Sequence, residues 1–354
     1  MSGGAQKRSA VAPGSVETAR GPVPLSSLGP VLSHEHLFIN LMAERRGDGL
    51  LHDEALMARE LAVFAKQGGG AIFDLTTAEL TPGSTLDSER SFDARRAGQT
   101  RNPRAVEAVR RVSEATGVHV VLGTGRYRDP FLDPELIAEL GVAGLAAEMV
   151  HDLTVGFADT GIRAGLIGEV GADKWFISEV EEQVFRAAAA ASVQTGAPVY
   201  THAARWTVGV EQSELLVSCG VAPEKIAIGH VDTVPSVDYA VELAARGHYV
   251  GIDTIYSTAP AALEHRVAQV LALVRAGHRD RILLAHDVCV ASLLQANGGP
   301  GFGLVMGEFR AALLAAGIGE DEFRSMMVEN PARYLAPSES GAAGTPKKRA
   351  SPSA

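Results

Sequence analysis

Cysteine is scarce in this sequence, and its scarcity excludes one class of protein. Only Cys219 and Cys289 occur among 354 residues. Two cysteines cannot form the disulfide framework that stabilises small secreted domains, so a reducing compartment is the simpler interpretation. The first 17 residues also lack the apolar stretch of a secretory signal. We therefore expect a cytoplasmic protein.

Long apolar runs and basic blocks are missing as well. No window approaches the roughly 18 consecutive apolar residues of a membrane-spanning helix, so no membrane association is expected. The net charge is -10, and Lys347-Lys348-Arg349 near the C-terminus is the one Lys/Arg-rich block. Proteins that bind nucleic acids usually present a basic face, so this balance disfavours polyanionic partners. A small-molecule substrate is the expected partner, and a homodimer stays open.

The two ends of the sequence differ in composition from the middle. Residues 1–14 are rich in glycine, alanine and serine, and residues 337–354 are similar apart from their basic triplet. Such segments bury too little apolar surface to become ordered, so both are predicted to be flexible tails. Because no internal boundary divides residues 15–336, they are predicted to form a single domain.

Short apolar runs alternate with helical patterns throughout residues 15–336. Eight runs are predicted as strands, over residues 30–36, 70–76, 118–123, 164–170, 198–202, 226–230, 249–253 and 282–287. Helices are predicted over residues 54–66, 103–116, 134–160, 179–195, 212–219, 236–245, 261–276, 304–316 and 320–329. Nearly continuous apolar strands are typical of a sheet that is buried on both faces, which indicates parallel pairing.

Eight such units predict an α/β fold that closes into a (β/α)8 TIM barrel. An open, doubly wound sheet is the structural alternative. That sheet usually has a glycine-rich phosphate-binding turn after its first strand. Here the first strand runs directly into His34-Glu35-His36 instead, which favours the barrel.

The segment His34-Glu35-His36 carries the first chemical signal. Side chains alternate between the two faces of a strand, so His34 and His36 project together while Glu35 points away. Two imidazoles on one face are well placed to bind a transition metal. Because the chain contains 11 histidines, such a pair is weak on its own, and the hypothesis depends on ligands further along.

Four later strands also end in candidate metal ligands, namely Glu169, His202, His230 and Asp287. In a parallel barrel, functional groups lie at the C-terminal ends of the strands. Buried ionisable groups are costly unless they are paired or bound to a metal. Six protein ligands exceed the three of a catalytic zinc ion. Two ions about 3.5–4 Å apart, which share a carboxylate and trap a hydroxide, fit this set better.

Further motifs accompany these ligands: Gly123-Thr124-Gly125, Arg163-Ala164-Gly165-Leu166-Ile167, Thr201-His202, Ile228-Gly229-His230, Gly251-Ile252-Asp253 and Glu329-Asn330-Pro331-Ala332-Arg333. With them, the sequence resembles the phosphotriesterase family of the amidohydrolase superfamily over about Val16 to Leu335. The resemblance implies that His34, His36 and Asp287 hold one metal. It also implies that His202 and His230 hold the other.

The bridging ligand departs from the pattern of phosphotriesterases proper, in which a carboxylated lysine joins the two metals. Gly168 stands at that place and Glu169 follows it, as in the phosphotriesterase homology subgroup, where a glutamate is the bridge. A shift of one residue along a strand would turn the side chain to the other face. A bridging Glu169 therefore requires a local bulge or bend, and a structural ion pair is the alternative role.

The loops favour a carbonyl substrate over a phosphotriester. The resemblance associates organophosphate hydrolysis with a histidine after the strand-seven aspartate and a tryptophan in the strand-three loop, where this chain has Thr254 and Arg126-Tyr127. Tyr127 is similar to the tyrosine of lactonase-like relatives, which lies near the substrate carbonyl, although a packing role is equally open. Further candidate substrate contacts are Arg205, Trp206 and Asp253, and Asp253 could also support a ligand.

The expected function is therefore metal-dependent hydrolysis, in which a metal-bridging hydroxide attacks the carbonyl of a carboxylic ester, lactone or amide. Two divalent ions are expected, zinc or else manganese or cobalt, with Asp287 as the catalytic proton acceptor. The first alternative is a phosphotriester hydrolase. A non-catalytic, ligand-binding barrel is the second. The glycine-rich residues 295–303 are predicted to form a flexible lid over the mouth.

Overall fold

The structure, a computed structural model, describes residues 14–83, 85–90 and 100–337. The predicted flexible tails lie outside the described residues, except for Gly14 and Pro337. In chain order, the strands are β1 (Ser15–Thr18), β2 (Gly21–Pro24), β3 (Val31–Glu35), β4 (Ile39–Asn40), β5 (Leu50–Leu51), β6 (Ala71–Asp74), β7 (His119–Thr124), β8 (Leu166–Gly171), β9 (Val199–His202), β10 (Ile226–Gly229), β11 (Tyr249–Ile252) and β12 (Ile282–Leu284).

The predicted (β/α)8 barrel is confirmed. Within the described residues, eight parallel strands pair in the order β12-β11-β10-β9-β8-β7-β6-β3. The first and last strands meet where the amide of Asp287 donates a hydrogen bond to the carbonyl of His34, at 3.1 Å. Six of the predicted runs contain the observed strand, and β7 and β8 each extend one residue beyond their predicted runs. The β1–β2 hairpin, which lies before the barrel, was not predicted.

The surrounding helices are α1 (Met42–Arg45), α2 (Glu54–Lys66), α3 (Pro103–Thr116), α4 (Pro134–Thr154), α5 (Glu179–Thr195), α6 (Gly209–Ser218), α7 (Val237–Ala245), α8 (Pro260–Arg275), α9 (Arg310–Ala315), α10 (Glu320–Arg324) and α11 (Asn330–Leu335). The predicted bounds of α2, α3 and α5 are confirmed. Their ends carry clear signals, such as the capping box of Ser178 with Glu181 and the left-handed Gly117 and Gly196.

The two final helical predictions are only partly correct. Residues 304–316 contain a π-helical segment, Val305–Phe309, before α9 begins. A second such segment, Ser325–Glu329, joins α10 to α11. Apolar spacing alone cannot distinguish these wider turns from an α-helix, because both keep a similar face towards the core. Among the described residues, no helix combines the length and apolar character that crossing a membrane requires.

Alternate residues of the strands belong to two separate hydrophobic clusters. Val31, Phe73 and Val121 belong to the smaller cluster, whereas Leu32 and Ile72 belong to the larger one, which includes the helices. Burial of both faces explains why the strands are almost continuously apolar. The smaller cluster also contains the buried rings of Tyr200, Tyr249 and Tyr334.

Glu35 joins the first strand to the segment that follows the last strand. Its carboxylate accepts hydrogen bonds from the backbone amides of His286 and Val288, both at 2.9 Å. Glu35 Oε1 also lies 2.7 Å from His286 Nδ1, and His286 Nε2 accepts the amide of Val305 at 2.9 Å. Since Nε2 accepts, Nδ1 must carry the proton and donate to Glu35. Glu35 thus points away from His34 and His36, as predicted, and closes the barrel.

Replacing Glu35 by alanine is expected to lower the free energy of unfolding by at least about 3 kcal/mol, because it leaves several buried donors without a partner. Urea unfolding followed by circular dichroism measures this change. The matched control is Glu264→Ala on the exposed surface of α8, which is expected to change stability by less than about 0.5 kcal/mol. Equal stability of the two variants would contradict the closing role of Glu35.

Candidate metal centre

The barrel brings all six predicted metal ligands to one end. His34 and Glu169 lie in β3 and β8, and His202 is the last residue of β9. Directly after β3 and β10 come His36 and His230, and Asp287 is the third residue after β12. Parallel strands place their C-terminal ends on one side of a barrel, which is why residues so distant in sequence meet there.

The carboxylate of Glu169 lies between two pairs of histidines. Its Oε2 atom is 3.4 Å from His34 Nε2, 3.0 Å from His202 Nδ1 and 3.5 Å from His230 Nε2. Its Oε1 atom is 3.7 Å from His36 Nε2. Asp287 lies beside the pair formed by His34 and His36. Its Oδ1 atom is 3.3 Å from His36 Nε2 and 3.9 Å from His34 Nε2.

An irregularity in β8 turns Glu169 towards this cluster, as the sequence analysis required. Ile167 pairs with Val199, but Val170 pairs with Thr201, so three steps along β8 match two along β9. Gly168 precedes Glu169 with φ +133°, and a Cβ atom there would lie 2.4 Å from the carbonyl oxygen of Tyr200. Only glycine suits that position, and the extra residue restores the inward direction of Glu169.

Asp253 supports two of the histidines from behind. Its Oδ2 atom is 2.9 Å from His34 Nδ1, and its Oδ1 atom is 3.0 Å from His230 Nδ1. Tyr200 donates its hydroxyl to Oδ2 at 2.8 Å. This fully buried carboxylate lies behind the imidazoles and is not among the residues that line the cleft, a position that suits the predicted support of a ligand. Thr76 Oγ1 supports His36 similarly, 3.0 Å from its Nδ1 atom.

These contacts leave the Nε2 atoms of His34, His36 and His230 directed at Glu169. His34 Nε2 is buried and has no hydrogen-bond partner among the described residues. An orphaned nitrogen of this kind is costly, and a metal ion would satisfy it. Histidine ligands typically bond through their second ring nitrogen to a carboxylate or another oxygen, which is the arrangement seen at His34, His36 and His230.

The electrostatics of the cluster also favour a cation. Burial alone would lower the pKa of His34, but the carboxylates of Glu169 and Asp253 raise it to about 10. Burial opposes the ionisation of Glu169, yet His34 and His202 hold its pKa well below the usual range. Burial and the neighbouring His230 lower the pKa of His202 to about 4. The carboxylates thus attract positive charge, which bound divalent ions would supply in place of protons.

Three groups of side chains in the described part of the chain bring ligand atoms within 4.8 Å of one another. Two of the groups share Glu169, the first with His34 and His36 and the second with His202 and His230. The third contains Asp253, whose oxygen atoms already bond to Nδ1 atoms and to a tyrosine hydroxyl. The residues therefore fit divalent metal on both sides of Glu169.

A cleft of about 280 Å³ opens beside His202, His230 and Asp287. Tyr127 lines it, and its hydroxyl lies 3.1 Å from His202 Nδ1. Arg205 lines the cleft too. Trp206 is not among the lining residues; its ring is 43% exposed and lies edge-on to Trp175, with 5.7 Å between ring centroids.

The loop that the sequence predicts as a flexible lid forms hydrogen bonds to two carboxylates. Glu60 accepts the amides of Gln295 and Ala296, both at 2.9 Å. Asp48 accepts the amide and hydroxyl of Ser292, both at 2.7 Å. The loop lines a cavity of about 540 Å³ that shares Tyr256 with the metal-site cleft. Glycine content suggested mobility, but it could not reveal that acidic side chains from distant segments bind these backbone amides.

One lining residue, Arg128, was missed by sequence reasoning. Its guanidinium pairs with Glu44 at 2.7 Å and with Asp173, and it lies 4.8 Å from the centre of the Tyr127 ring. These contacts join three loops around the cleft. The partners are 84 and 45 residues away in sequence. The only local signal was the position of Arg128 next to Tyr127, which does not identify such partners.

The phosphotriesterase family model matches residues 14–85 and 97–335. The chain belongs to the phosphotriesterase family. It is 32% identical to the phosphotriesterase homology protein of Escherichia coli over 308 residues, which cover 87% of this chain and 98% of that protein. The crystal structure of that relative, complexed with phosphate in its active site, matches with a TM-score of 0.77 and covers 87% of this chain and 99% of that one.

Two further relatives show the range of functions within this similarity. Human N-acetyltaurine hydrolase is 27% identical over 91% of this chain and 98% of its own length. A resiniferatoxin-binding protein from Rhodobacter sphaeroides matches with a TM-score of 0.80 and 28% identity, over 91% of this chain and 95% of that one. Enzymes of the phosphotriesterase family bind divalent metals, and the family and its hydrolase relatives support a metal-dependent hydrolase here as well.

Replacing Asp253 by asparagine is expected to weaken zinc binding by about 10- to 100-fold, because the amide no longer orients His34 and His230 as a charged acceptor does. Competition with a chromogenic chelator measures the affinity, and circular dichroism verifies the fold. Asp238→Asn, on the exposed surface of α7, is the matched control and is expected to bind zinc normally. Unchanged affinity in Asp253→Asn would show that Asp253 does not support the ligands.

Proposed function

We propose that this chain hydrolyses a carboxylic ester, lactone or amide with two divalent ions held on either side of Glu169. The observation that carries the proposal is the position of the Glu169 carboxylate, within 3.0–3.7 Å of a nitrogen of each of the four histidines. A carboxylate between two pairs of imidazoles suits a bridging ligand, since each of its oxygens can contact an ion. Zinc is the proposed metal, with manganese or cobalt as alternatives.

In this proposal His34, His36 and Asp287 hold one ion, and His202 and His230 hold the other. The support is geometric. Asp287 lies 3.3 Å from His36 Nε2, and the ligand atoms of His202 and His230 cluster with Glu169 within 4.8 Å of one another. Counting the shared Glu169, the first ion would have four protein ligands and the second three, and a catalytic zinc ion can expand its coordination to take water or substrate. A single ion would leave part of this buried cluster without a counter-charge.

When bound, the divalent ions would lower the pKa of a water molecule and polarise the substrate carbonyl. Asp287 lines the cleft with 17% of its side chain exposed, so it is placed to accept the proton of the attacking water and pass it to the leaving group. Its backbone is fixed by the hydrogen bond to His34 and adopts φ +56°. The general base is therefore held in place before substrate arrives.

Tyr127 is proposed to donate a hydrogen bond to the substrate oxygen. Burial raises the pKa of Tyr127 well above its usual value, and the nearby Glu169 carboxylate raises it further. The phenol therefore keeps its proton at neutral pH and can stabilise a developing negative charge. The aromatic ring packs against Arg128, 4.8 Å from its centre, and against Phe131, with ring centroids 5.3 Å apart.

A carbonyl substrate is favoured over a phosphotriester. The name of the human relative, N-acetyltaurine hydrolase, denotes cleavage of an amide. Thr254 occupies the position after Asp253, and its hydroxyl is engaged with Asp232 at 2.5 Å and Arg266 at 2.7 Å. The phosphate in the Escherichia coli relative keeps phosphotriester hydrolysis as the second candidate. The resiniferatoxin-binding relative keeps non-catalytic binding as the third.

The cleft volume suits a small molecule, which we propose as the partner of this site. Cytoplasmic localisation and a homodimer stay predictions.

A panel of lactones, N-acyl amino acids, aryl esters and paraoxon, assayed on protein reconstituted with Zn²⁺, Mn²⁺ or Co²⁺, tests the proposed function. Turnover of a carbonyl compound, abolished by a chelator, is expected. Turnover of paraoxon alone would support the second candidate, phosphotriester hydrolysis. The absence of any metal-dependent turnover would support the third candidate, non-catalytic binding.

Replacing Asp287 by asparagine is expected to lower kcat by about 10²- to 10³-fold, because the amide cannot accept the proton. Metal analysis of the same sample is expected to show both ions, since His34, His36 and Glu169 remain. Asp321→Asn on exposed α10 is the control and is expected to keep wild-type turnover. A wild-type rate in Asp287→Asn would remove this residue from the mechanism.

A further inference from the structure

The wall of the cleft contains five charged side chains outside the metal cluster. Three are arginines and two are acids, namely Glu44, Arg45, Arg128, Asp173 and Arg205. Their pairing determines which charges are available to a substrate. The whole chain is acidic, with a net charge of -10, so an excess of positive charge at this wall is a local feature.

Arg128 pairs with both acids of the wall. Its Nη2 atom lies 2.7 Å from Glu44 Oε2, and its Nη1 atom pairs with Asp173 Oδ1. The side chain is 9% exposed and stacks on the ring of Tyr127. Arg128 is therefore a fixed structural cation. Three arginines against two acids leave this wall with an excess of one positive charge.

Arg45 and Arg205 are exposed, and neither forms an ion pair with another described residue. They come from different segments of the barrel. Arg45 is the last residue of α1, whereas Arg205 follows β9, the fifth strand. Both side chains line the cleft that opens beside the metal cluster.

The backbone at Arg205 is held in an unusual conformation. Arg205 adopts φ +70°, which residues other than glycine rarely do. Its amide donates to Thr233 Oγ1 at 2.6 Å, and that hydroxyl donates to the carbonyl of His230, also at 2.6 Å. The loop is therefore tied to a proposed metal ligand, and the base of the Arg205 side chain has a fixed place beside the cleft. Strain that is maintained in this way is typical of functional positions.

We infer that the substrate carries an anionic group, a carboxylate or a sulfonate, which Arg205 binds while the carbonyl lies at the metal cluster. This inference rests on the proposed function and names the class of substrate. A guanidinium group binds such anions through two parallel hydrogen bonds. Arg45 adds a second positive charge at the cleft, which attracts an anion to the mouth of an otherwise acidic protein. Arg205 sets the specificity, and Asp287 still performs the chemistry.

Three aryl acetates that share one ester but differ in one substituent test the inference: 4-acetoxybenzoate, 4-acetoxybenzenesulfonate and the neutral 4-acetoxybenzamide. The metal-loaded wild type is expected to show a kcat/KM about tenfold higher for the preferred anionic ester than for the neutral ester, 4-acetoxybenzamide. Arg205→Gln is expected to remove this preference, mainly through KM, while the neutral ester keeps its kcat/KM within about twofold. Arg205→Lys is expected to restore part of the preference.

Arg59→Gln is the matched control, because Arg59 is an exposed residue of α2 that does not line the cleft. It removes the same charge and is expected to leave the preference unchanged. Equal preference in the wild type and Arg205→Gln would overturn the inference, as would an equal loss in Arg59→Gln. The better of the two anionic esters distinguishes a carboxylate from a sulfonate substrate.

A binding measurement separates this inference from the proposed function. Titration calorimetry of the metal-loaded protein with 4-hydroxybenzenesulfonate, 4-hydroxybenzoate and 4-hydroxybenzamide requires no turnover. Arg205→Gln is expected to weaken binding of an anionic probe by about tenfold and to leave the neutral probe unchanged. If no ester is hydrolysed but this difference in binding is observed, the result contradicts hydrolysis of these esters and supports the anion site at Arg205. If esters are hydrolysed without any effect of Arg205, the anion site fails alone.

Discussion

The burial of Glu169 among four imidazoles is the constraint on which the rest of the site depends. A buried carboxylate is stable only when positive charge surrounds it. The two histidine pairs can provide that charge, either by binding protons or by binding metal ions next to Glu169. Asp253 and Thr76 then fix the ring orientations from behind, so that the nitrogens that face Glu169 stay directed at it. The site is thus organised outward from one carboxylate, and each further shell orients the one inside it.

The barrel supports this arrangement from below and from the side. The buried ring of Tyr200 belongs to the smaller hydrophobic cluster, while its hydroxyl reaches Asp253 at 2.8 Å. Glu35 joins the first strand to the segment after the last strand, which carries Asp287. The packing of the core and the geometry of the site are therefore coupled. Rigid strand ends of this kind suit catalysis, because the functional groups need little reorganisation when substrate arrives.

The sequence predicted the fold, and it predicted that the six candidate ligand side chains meet at one end of the barrel, because strand positions follow from periodicity. Apolar strands with polar ends gave His34, His202 and His230 their place at the mouth, and the helices α2 and α5 were predicted with their observed bounds. Contacts between distant segments were less accessible. The sequence could state that Glu169 needed a bulge, but the register shift itself depends on how β8 packs on β9.

Other parts of the site were not predictable for the same reason. The burial of Asp253 behind the histidines, the triple-loop contact of Arg128 and the anchoring of the 295–303 loop by Glu60 all join residues far apart in sequence. No local pattern marks such pairs. Crystallography of zinc-loaded protein with anomalous scattering at the zinc edge tests the central claim most directly. The account predicts two peaks about 3.5–4 Å apart with Glu169 between them; a single peak, or two peaks without contact to Glu169, would contradict it.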